Sequence, residues 1–345
     1  IGVARDAHHW VALDGTRLAA LGTDKKLYIY ANDILYDITP ERQSNAAVSN
    51  IFTTTNGSAN VTVNVNGHGA NEGDIVTFSG TTSLSGTSFT AENFDRSFEV
   101  QSVTNTNAFV ITQDVSESTG SVTTGTATAT FDLNIAPAFS TFGYGWGTST
   151  WNTSTWGTAR STSSVTLDGR DWSLDNFGEL LIATVLDGST YQWSPTTNGL
   201  SGKASLVTNA PTASKFSLVS TPDRHLILFG TEKTIGTGSS QDPLLLRFSS
   251  QEDINTYQPA AENTAGSLRV QDGSSIVGAD KARGQILVWT DTSLHGLQFI
   301  GPPFTFGLNQ LGRNCGLLGQ HAAVVVRDVA YWMGQNAFFV FDGTV

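Results

Sequence analysis

The chain has one cysteine, Cys315, among 345 residues, so no disulfide can form within one copy. Gly316-Leu317-Leu318 follows it and no base stands beside it, which reads as a small buried core residue rather than a reactive thiol. Basic residues are scarce: 18 Lys and Arg stand against 30 Asp and Glu, a formal net charge of −12, and no Lys or Arg cluster occurs. A surface that grips duplex DNA needs a basic patch to neutralise phosphates, so tight DNA binding is disfavoured, while an acidic wall past which DNA slides stays compatible. No apolar run nears the ~20 residues of a membrane span, and no signal peptide is present. Good helix formers never run unbroken for the ~12 residues a stable helix needs, which leaves an all-β chain rich in Gly, Ser and Thr. The opening IGVARDAHHW, without Met, and the close at FDGTV read as those of a piece or a processed form of something longer.

What is present is repetition. RLAALGTDKKLYIYANDILYDITP (17–40) and RDWSLDNFGELLIATVLDGSTYQWSP (170–195) each alternate apolar runs with polar turns, among them Asp187-Gly188, a strong hairpin signal. They end alike, in Tyr36-Asp-Ile-Thr-Pro40 and Tyr191-Gln-Trp-Ser-Pro195. Three further units cover 215–251, 274–301 and 321–343. Five related meanders of three or four strands predict repeated antiparallel, β-propeller-like blades. Runs such as Ile286-Leu-Val-Trp289 and Val329-Ala-Tyr-Trp332 fit strands buried on both faces.

Residues from about 53 to 135 break the rhythm. They are poor in aromatics, rich in Thr, Asn, Ser and Gly, and hold Arg96 alone against Glu72, Asp74, Glu92, Asp95, Glu99, Asp114, Glu117 and Asp132. Alternation persists at 61–65, 74–78, 97–100 and 108–111, which predicts a small inserted β-domain. The expected division is therefore 1–50 and 136–345 for the propeller-like body and 51–135 for the insert.

Catalytic signals are missing. None of His8, His9, His68, His225, His295 and His321 lies in a two-His metal motif, and adjacent His8 and His9 point to opposite faces of a strand. Asn198 to Ala204 ends like a phosphate loop, but Thr197 replaces the first Gly and Ala204 replaces the magnesium-binding hydroxyl, so it reads as a turn. No GxSxG elbow occurs, and no pair of carboxylates is singled out for glycoside hydrolysis. The expectation is no catalytic residue, no cofactor and no metal; a β-propeller glycoside hydrolase is the least favoured alternative.

In FGYGWGTSTWNTSTWGTAR (142–160), Trp146, Trp151 and Trp156 recur every five residues among Gly, Ser and Thr. An odd spacing alternates faces in a strand, so an ordered loop pinned by large anchors is favoured over a stacking platform for glycans or bases. Phe304 and Phe306 in Gly301-Pro-Pro-Phe-Thr-Phe306 join them as candidate inter-blade or inter-subunit anchors.

Four strings carry a resemblance: SQEDINTYQP (250–259), ARGQILVWTD (282–291), GPPFTF (301–306) and AYWMG (330–334). With them, 1 to about 48 and about 139 to 345 resemble the tail nozzle, or tail tubular protein B, of short-tailed bacteriophages and related phage tail structural proteins. The resemblance implies a non-enzymatic virion protein of the phage tail, a propeller-containing subunit assembled as a homo-hexamer. Its partners would be the tail adaptor and tail fibre proteins, and phage DNA would pass through without tight binding during ejection. This chain is short for a whole nozzle and its 142–160 segment is unusually rich in Trp. A host-surface glycan is the partner under the alternative reading, an adsorption module.

Overall fold

The computed structural model describes residues 2–136 and 169–344. Five antiparallel sheets repeat one plan, in which consecutive strands pair in sequence order. Blade 1 holds β1 (Ala4–Val11), β2 (Arg17–Thr23), β3 (Leu27–Ala31) and β4 (Ile34–Asp37). Blade 2 holds β12 (Trp172–Phe177), β13 (Leu180–Val185), β14 (Thr190–Trp193) and β15 (Ser205–Leu206). Blade 3 is β16 (Phe216–Ser220), β17 (His225–Phe229), β18 (Leu245–Phe248) and β19 (Gly266–Arg269). In blade 4 the strands are β20 (Ile276–Ala282), β21 (Gln285–Thr290), β22 (Ser293–Gly301) and β23 (Thr305–Arg313). Blade 5 has three, β24 (Ala323–Val326), β25 (Val329–Met333) and β26 (Phe338–Phe341).

The first strands β1, β12, β16, β20 and β24 pack successively beside one another, so each blade's inner edge faces a common axis. The result is a five-bladed β-propeller.

Alternation in the second strands explains the blade-on-blade packing. In β13, Leu181 and Ala183 face blade 1, where they and Trp172 of β12 join Trp10, Leu18 and Ile29. Ile182 faces the other way, toward Val219, Leu226 and Leu228 of blade 3. In β21, Ile286 and Val288 meet Phe216, Phe229 and Phe248 of blade 3. Leu287 and Trp289 meet Cys315, Ala330 and Trp332 of blade 5. A strand sandwiched between two blades must be apolar at every position, which is why these runs lack the usual alternation.

At Gly22 blades 1 and 2 approach closely: a Cβ there would lie 2.6 Å from the Trp172 ring. The Trp172 indole N–H donates to the Thr23 carbonyl at 2.8 Å beside it.

Between blades 1 and 2 the chain forms a seven-stranded sheet. Its strands are β5 (Glu41–Thr53), β6 (Asn60–Asn64), β7 (Ile75–Thr82), β8 (Ser97–Glu99), β9 (Ser102–Asn105), β10 (Ala108–Thr112) and β11 (Thr123–Asp132), in the order β8-β7-β11-β5-β6-β10-β9. One turn of helix, α1 (Ala91–Phe94), delivers Phe94 onto Phe52 at 3.7 Å between ring centroids. The sheet curls until β8 approaches β10 and encloses Phe52, Phe78, Phe94, Phe109 and Phe131. The module's two ends meet, since Leu133 N–H donates to the Pro40 carbonyl at 2.9 Å.

Candidate functional site

The propeller axis concentrates charged side chains. An aspartate on the first strand of three blades performs the same task. Asp6 accepts the N–H of Ala7, its chain neighbour, at 2.8 Å, and with its other oxygen accepts the N–H of Leu174 on blade 2 at 2.8 Å. Asp175 accepts the N–H of Asn176 at 2.9 Å and of Val219 on blade 3 at 2.7 Å. Asp280 accepts the N–H of Lys281 at 2.7 Å and of Val325 on blade 5 at 3.1 Å. First strands of neighbouring blades run side by side without a backbone ladder, so their inward N–H groups need acceptors, and a carboxylate bridges the gap.

Basic groups complete the cluster. Lys281 Nζ lies 2.7 and 2.9 Å from the two oxygens of Asp175, reaching from blade 4 to blade 2. His8 Nε2 is 2.9 Å from Asn176 Oδ1 and 4.0 Å from Asp175. His321, leading into blade 5, places Nε2 at 3.2 and 3.3 Å from the oxygens of Asp171.

Electrostatics follow from this crowding. Burial raises the Asp6 carboxyl above its ordinary value, although the Leu174 N–H and His321 oppose it. Burial likewise raises Asp280, against the N–H groups of Lys281 and Val325 and the Lys281 charge. The hydrogen bond to Asp171 raises His321 despite partial burial. Among the described residues, the carboxylates of Asp6, Asp171, Asp175 and Asp280 outnumber Lys281 in this cluster and give it an acidic excess whenever the histidines are neutral.

A second polar centre fastens the module to the propeller. Asp37 at the end of β4 pairs with Lys26, and Lys203 of blade 2 lies 3.1 Å from it. Asp132 at the end of β11 stands 3.6 Å from Lys26 and 3.9 Å from Lys203. Burial works to raise Asp37, but the hydrogen bonds of Lys26 and Thr39 outweigh it and hold its carboxyl at about 2. Asp132 has fewer donors and burial raises it.

Chemically, these groups are committed. Asp6, Asp175 and Asp280 each spend both oxygens on backbone N–H groups, whereas a glycosidase needs two carboxylates turned toward one substrate. Among the described residues, no three His, Cys, Asp or Glu side chains form a metal-holding group. Cys315 is buried between blades 4 and 5, and burial raises its thiol.

The sequence-predicted anchors are scattered. Trp146, Trp151 and Trp156 lie outside the described residues. Phe306 is buried between blades 3 and 4, with its ring centroid 4.9 Å from Phe248 and 5.1 Å from His225. Phe304, two residues earlier, is 73% exposed. His8 and His9 point to opposite sides of β1, His8 into the axial cluster and His9 outward. Asn198 to Ala204 is a turn after the short helix α2 (Pro195–Asn198), with Ala204 packed in the core.

The clamp aspartates were not singled out in the sequence, yet a signal is there. Asp175 faces Ile182 and Asp280 faces Leu287 across their hairpins, the same spacing in both blades. Asp inside a strand is disfavoured, so its recurrence at one register is informative.

No family model matches the chain, and no curated protein matches it. Among solved structures it is similar to the phage phi92 endosialidase, at 12% identity and a TM-score of 0.31, over 94% of this chain and 52% of that one. The chain thus spans about half the length of that protein. At such a TM-score the assignment of the fold rests on the sheets themselves.

Proposed function

We propose that the chain is a non-enzymatic structural protein of a phage tail, a subunit of the tail nozzle through which DNA leaves the particle. The observation that supports this reading is the state of the axial carboxylates: they hold blades together through backbone N–H groups, and among the described residues they form no convergent reactive centre. The resemblance of 250–259, 282–291, 301–306 and 330–334 to nozzle proteins supports it, and these strings fall in blades 3, 4 and 5 and their loops. A net charge of −12 suits a surface past which a polyanion moves, because each phosphate contact would add an attractive well and slow transit. On this reading copies of the chain form a six-membered ring in the virion, and the body expected at 1–50 and 136–345 carries the module expected at 51–135 as an insertion, with the module's sheet taking β5 (Glu41–Thr53) from the end of the first part. Electron microscopy of purified chain and of tails tests it: six-fold rings incorporated into tails are expected, and a monomer absent from the virion would contradict it.

A second reading, adsorption to a host-surface glycan, has one observation in its favour. A cavity of about 370 Å³ opens between blades 3 and 4, with Phe299 and Phe306 on one wall and Asp223, Lys281 and Gln285 on others. An aromatic wall beside polar groups suits a saccharide of one or two units. A glycan array probed with wild type and Phe299→Ala separates the readings: signal lost in the variant favours adsorption, and a blank array removes it.

A further inference from the structure

The hairpin β22–β23 outgrows its blade. Pairing of β21 with β22 stops at Ile286 and Leu297, whereas β22 and β23 stay paired out to Gly301 and Thr305. The overhang leans on blade 3: the Thr305 hydroxyl donates to the Thr264 carbonyl at 3.1 Å, and the Phe299 and Phe306 rings stand 5.7 and 5.1 Å from that of His225. Ile286, Leu297, Phe299 and Phe306 are cross-strand or next-but-one neighbours, so they share the face of blade 4 turned toward blade 3. Three of them are buried, while Phe299, on the overhang, is 37% exposed. Together they bound the cavity of about 370 Å³ between these blades.

The lining divides by chemistry. Ile286, Leu297 and Phe306 make a buried apolar floor, and the first turns of blades 3 and 4 supply a polar rim with Thr221, Asp223 and Gln285. Asp223 spends one oxygen on the Ser220 hydroxyl at 3.0 Å. Its other oxygen, the Thr221 hydroxyl and the Gln285 amide have no hydrogen-bond partner among the described residues. Lys281 also lines the cavity, but both oxygens of Asp175 hold it, at 2.7 and 2.9 Å. Of the flanking cations, Arg224 pairs with Glu252 at 2.6 Å and Arg283 does not line the cavity. Burial lowers the His225 imidazole, which therefore adds no positive charge at neutral pH. Asp223 is thus the one lining charge without an ion pair among the described residues.

We infer that this cavity binds a neutral sugar bearing a methyl group, carried as a 6-deoxy or an N-acetyl substituent. The methyl rests on the apolar floor, the C–H face of the ring on Phe299, and hydroxyls on Asp223 and Gln285. A hydroxymethyl in the same place would bury its hydroxyl among Ile286, Leu297 and Phe306 without a partner, and a carboxylate would in addition bring a second negative charge near Asp223. The inference rests on the adsorption reading and names its ligand.

A glycan array probed with the full chain tests it, each 6-deoxy and N-acetyl sugar standing beside its unsubstituted parent and its uronic acid. Signal on the methyl-bearing sugars is expected, and whichever of the two series responds identifies the substituent. Calorimetry with the best monosaccharide should give roughly tenfold tighter binding than with its parent. Phe299→Ala should abolish the signal and Phe299→Tyr retain it; Thr221→Trp, an exposed change at the rim, should also abolish it by filling the mouth. Asp223→Asn should admit the uronic acids. Equal signal on the parents, signal confined to acidic sugars, or signal that survives both Phe299→Ala and Thr221→Trp would overturn the inference while adsorption stands. Uronic acids still refused by Asp223→Asn would overturn the part assigned to Asp223. A blank array would remove the inference and the adsorption reading together and leave the nozzle reading in place.

Discussion

Single side chains hold adjacent blades in place, and their removal has calculable consequences. In Asp280→Ala the part-buried Val325 N–H of blade 5 loses its acceptor near the axis, at a cost of about 1 kcal/mol for the lost hydrogen bond, while the exposed Lys281 N–H turns to water. The urea midpoint should fall accordingly, and Asp280→Asn, with one acceptor oxygen, should recover only part of the loss. Gly22→Ala drives a methyl group into the Trp172 ring and should cost about 1–3 kcal/mol by overpacking, read as a lowered melting temperature with blade 1 affected first. A wild-type melting temperature in Gly22→Ala would show that the blades separate easily at that contact.

The acid response also belongs to particular residues. Burial works to raise the Glu117 carboxyl in the inserted module, but hydrogen bonds from Thr87, Thr119 and Ser88 outweigh it and hold the group at about 2, from an ordinary 4.5. Asp37 is held at about 2 from 3.8. Carboxyls depressed in the folded state contribute stability above their unfolded values and lose it as pH falls through the folded ones. Stability should therefore decline between about 4.5 and about 2, and Glu117→Gln should flatten part of that decline. His321 has the opposite sign: its raised value adds stability that is complete below 6.5 and disappears as pH rises through the folded value. A His321→Ala variant that keeps the wild-type alkaline slope in urea titrations would refute that assignment.

Among elements, the legible ones were those whose burial imposes a pattern. The second strands β13, β17 and β21 stand between two blades and carry unbroken apolar runs, Leu180–Ala183, Leu226–Phe229 and Ile286–Trp289, so they read directly as strands, as did the Asp187-Gly188 hairpin. Strand β1 shows no apolar alternation, because Ala4-Arg-Asp-Ala-His-His-Trp-Val turns Asp6 and His8 into the polar axis and leaves Ala7, His9 and Val11 exposed. The outer strands β15 and β19 were missed because they are short and largely exposed. In the module, β11 hid behind weak contrast: Ala127, Ala129 and Phe131 turn inward while Thr126, Thr128 and Thr130 turn outward, and Ala and Thr differ little in hydropathy. The axial cluster was illegible for another reason, since its members lie up to hundreds of residues apart and only ring topology gathers them. Cys315 supplies a probe at this scale. Its thiol should resist aqueous disulfide reagents until blades 4 and 5 part, so labelling in urea should track loss of Trp289 and Trp332 fluorescence; rapid labelling of native protein would show that this seam opens on its own.

For the whole molecule, the module has its own phenylalanine core and enters and leaves the propeller at one point, where Leu133 bonds to Pro40. Joining Pro40 to Leu133 through a short Gly-Ser link should leave a folded five-bladed body, weakened where Lys26 and Lys203 lose Asp132. A sheet-rich circular dichroism spectrum with cooperative melting is the expected result, and a molten chain would mean that the module is required for the ring of blades to form.

The most direct test is a cryo-electron microscopy reconstruction of an intact tail at side-chain resolution. Six copies of this propeller around the DNA path, with the axial aspartates bonded between blades, are the expected result. A tail without this chain, or a reconstruction with a substrate or metal held by Asp6, Asp175 and Asp280, would contradict a scaffold without a reactive centre.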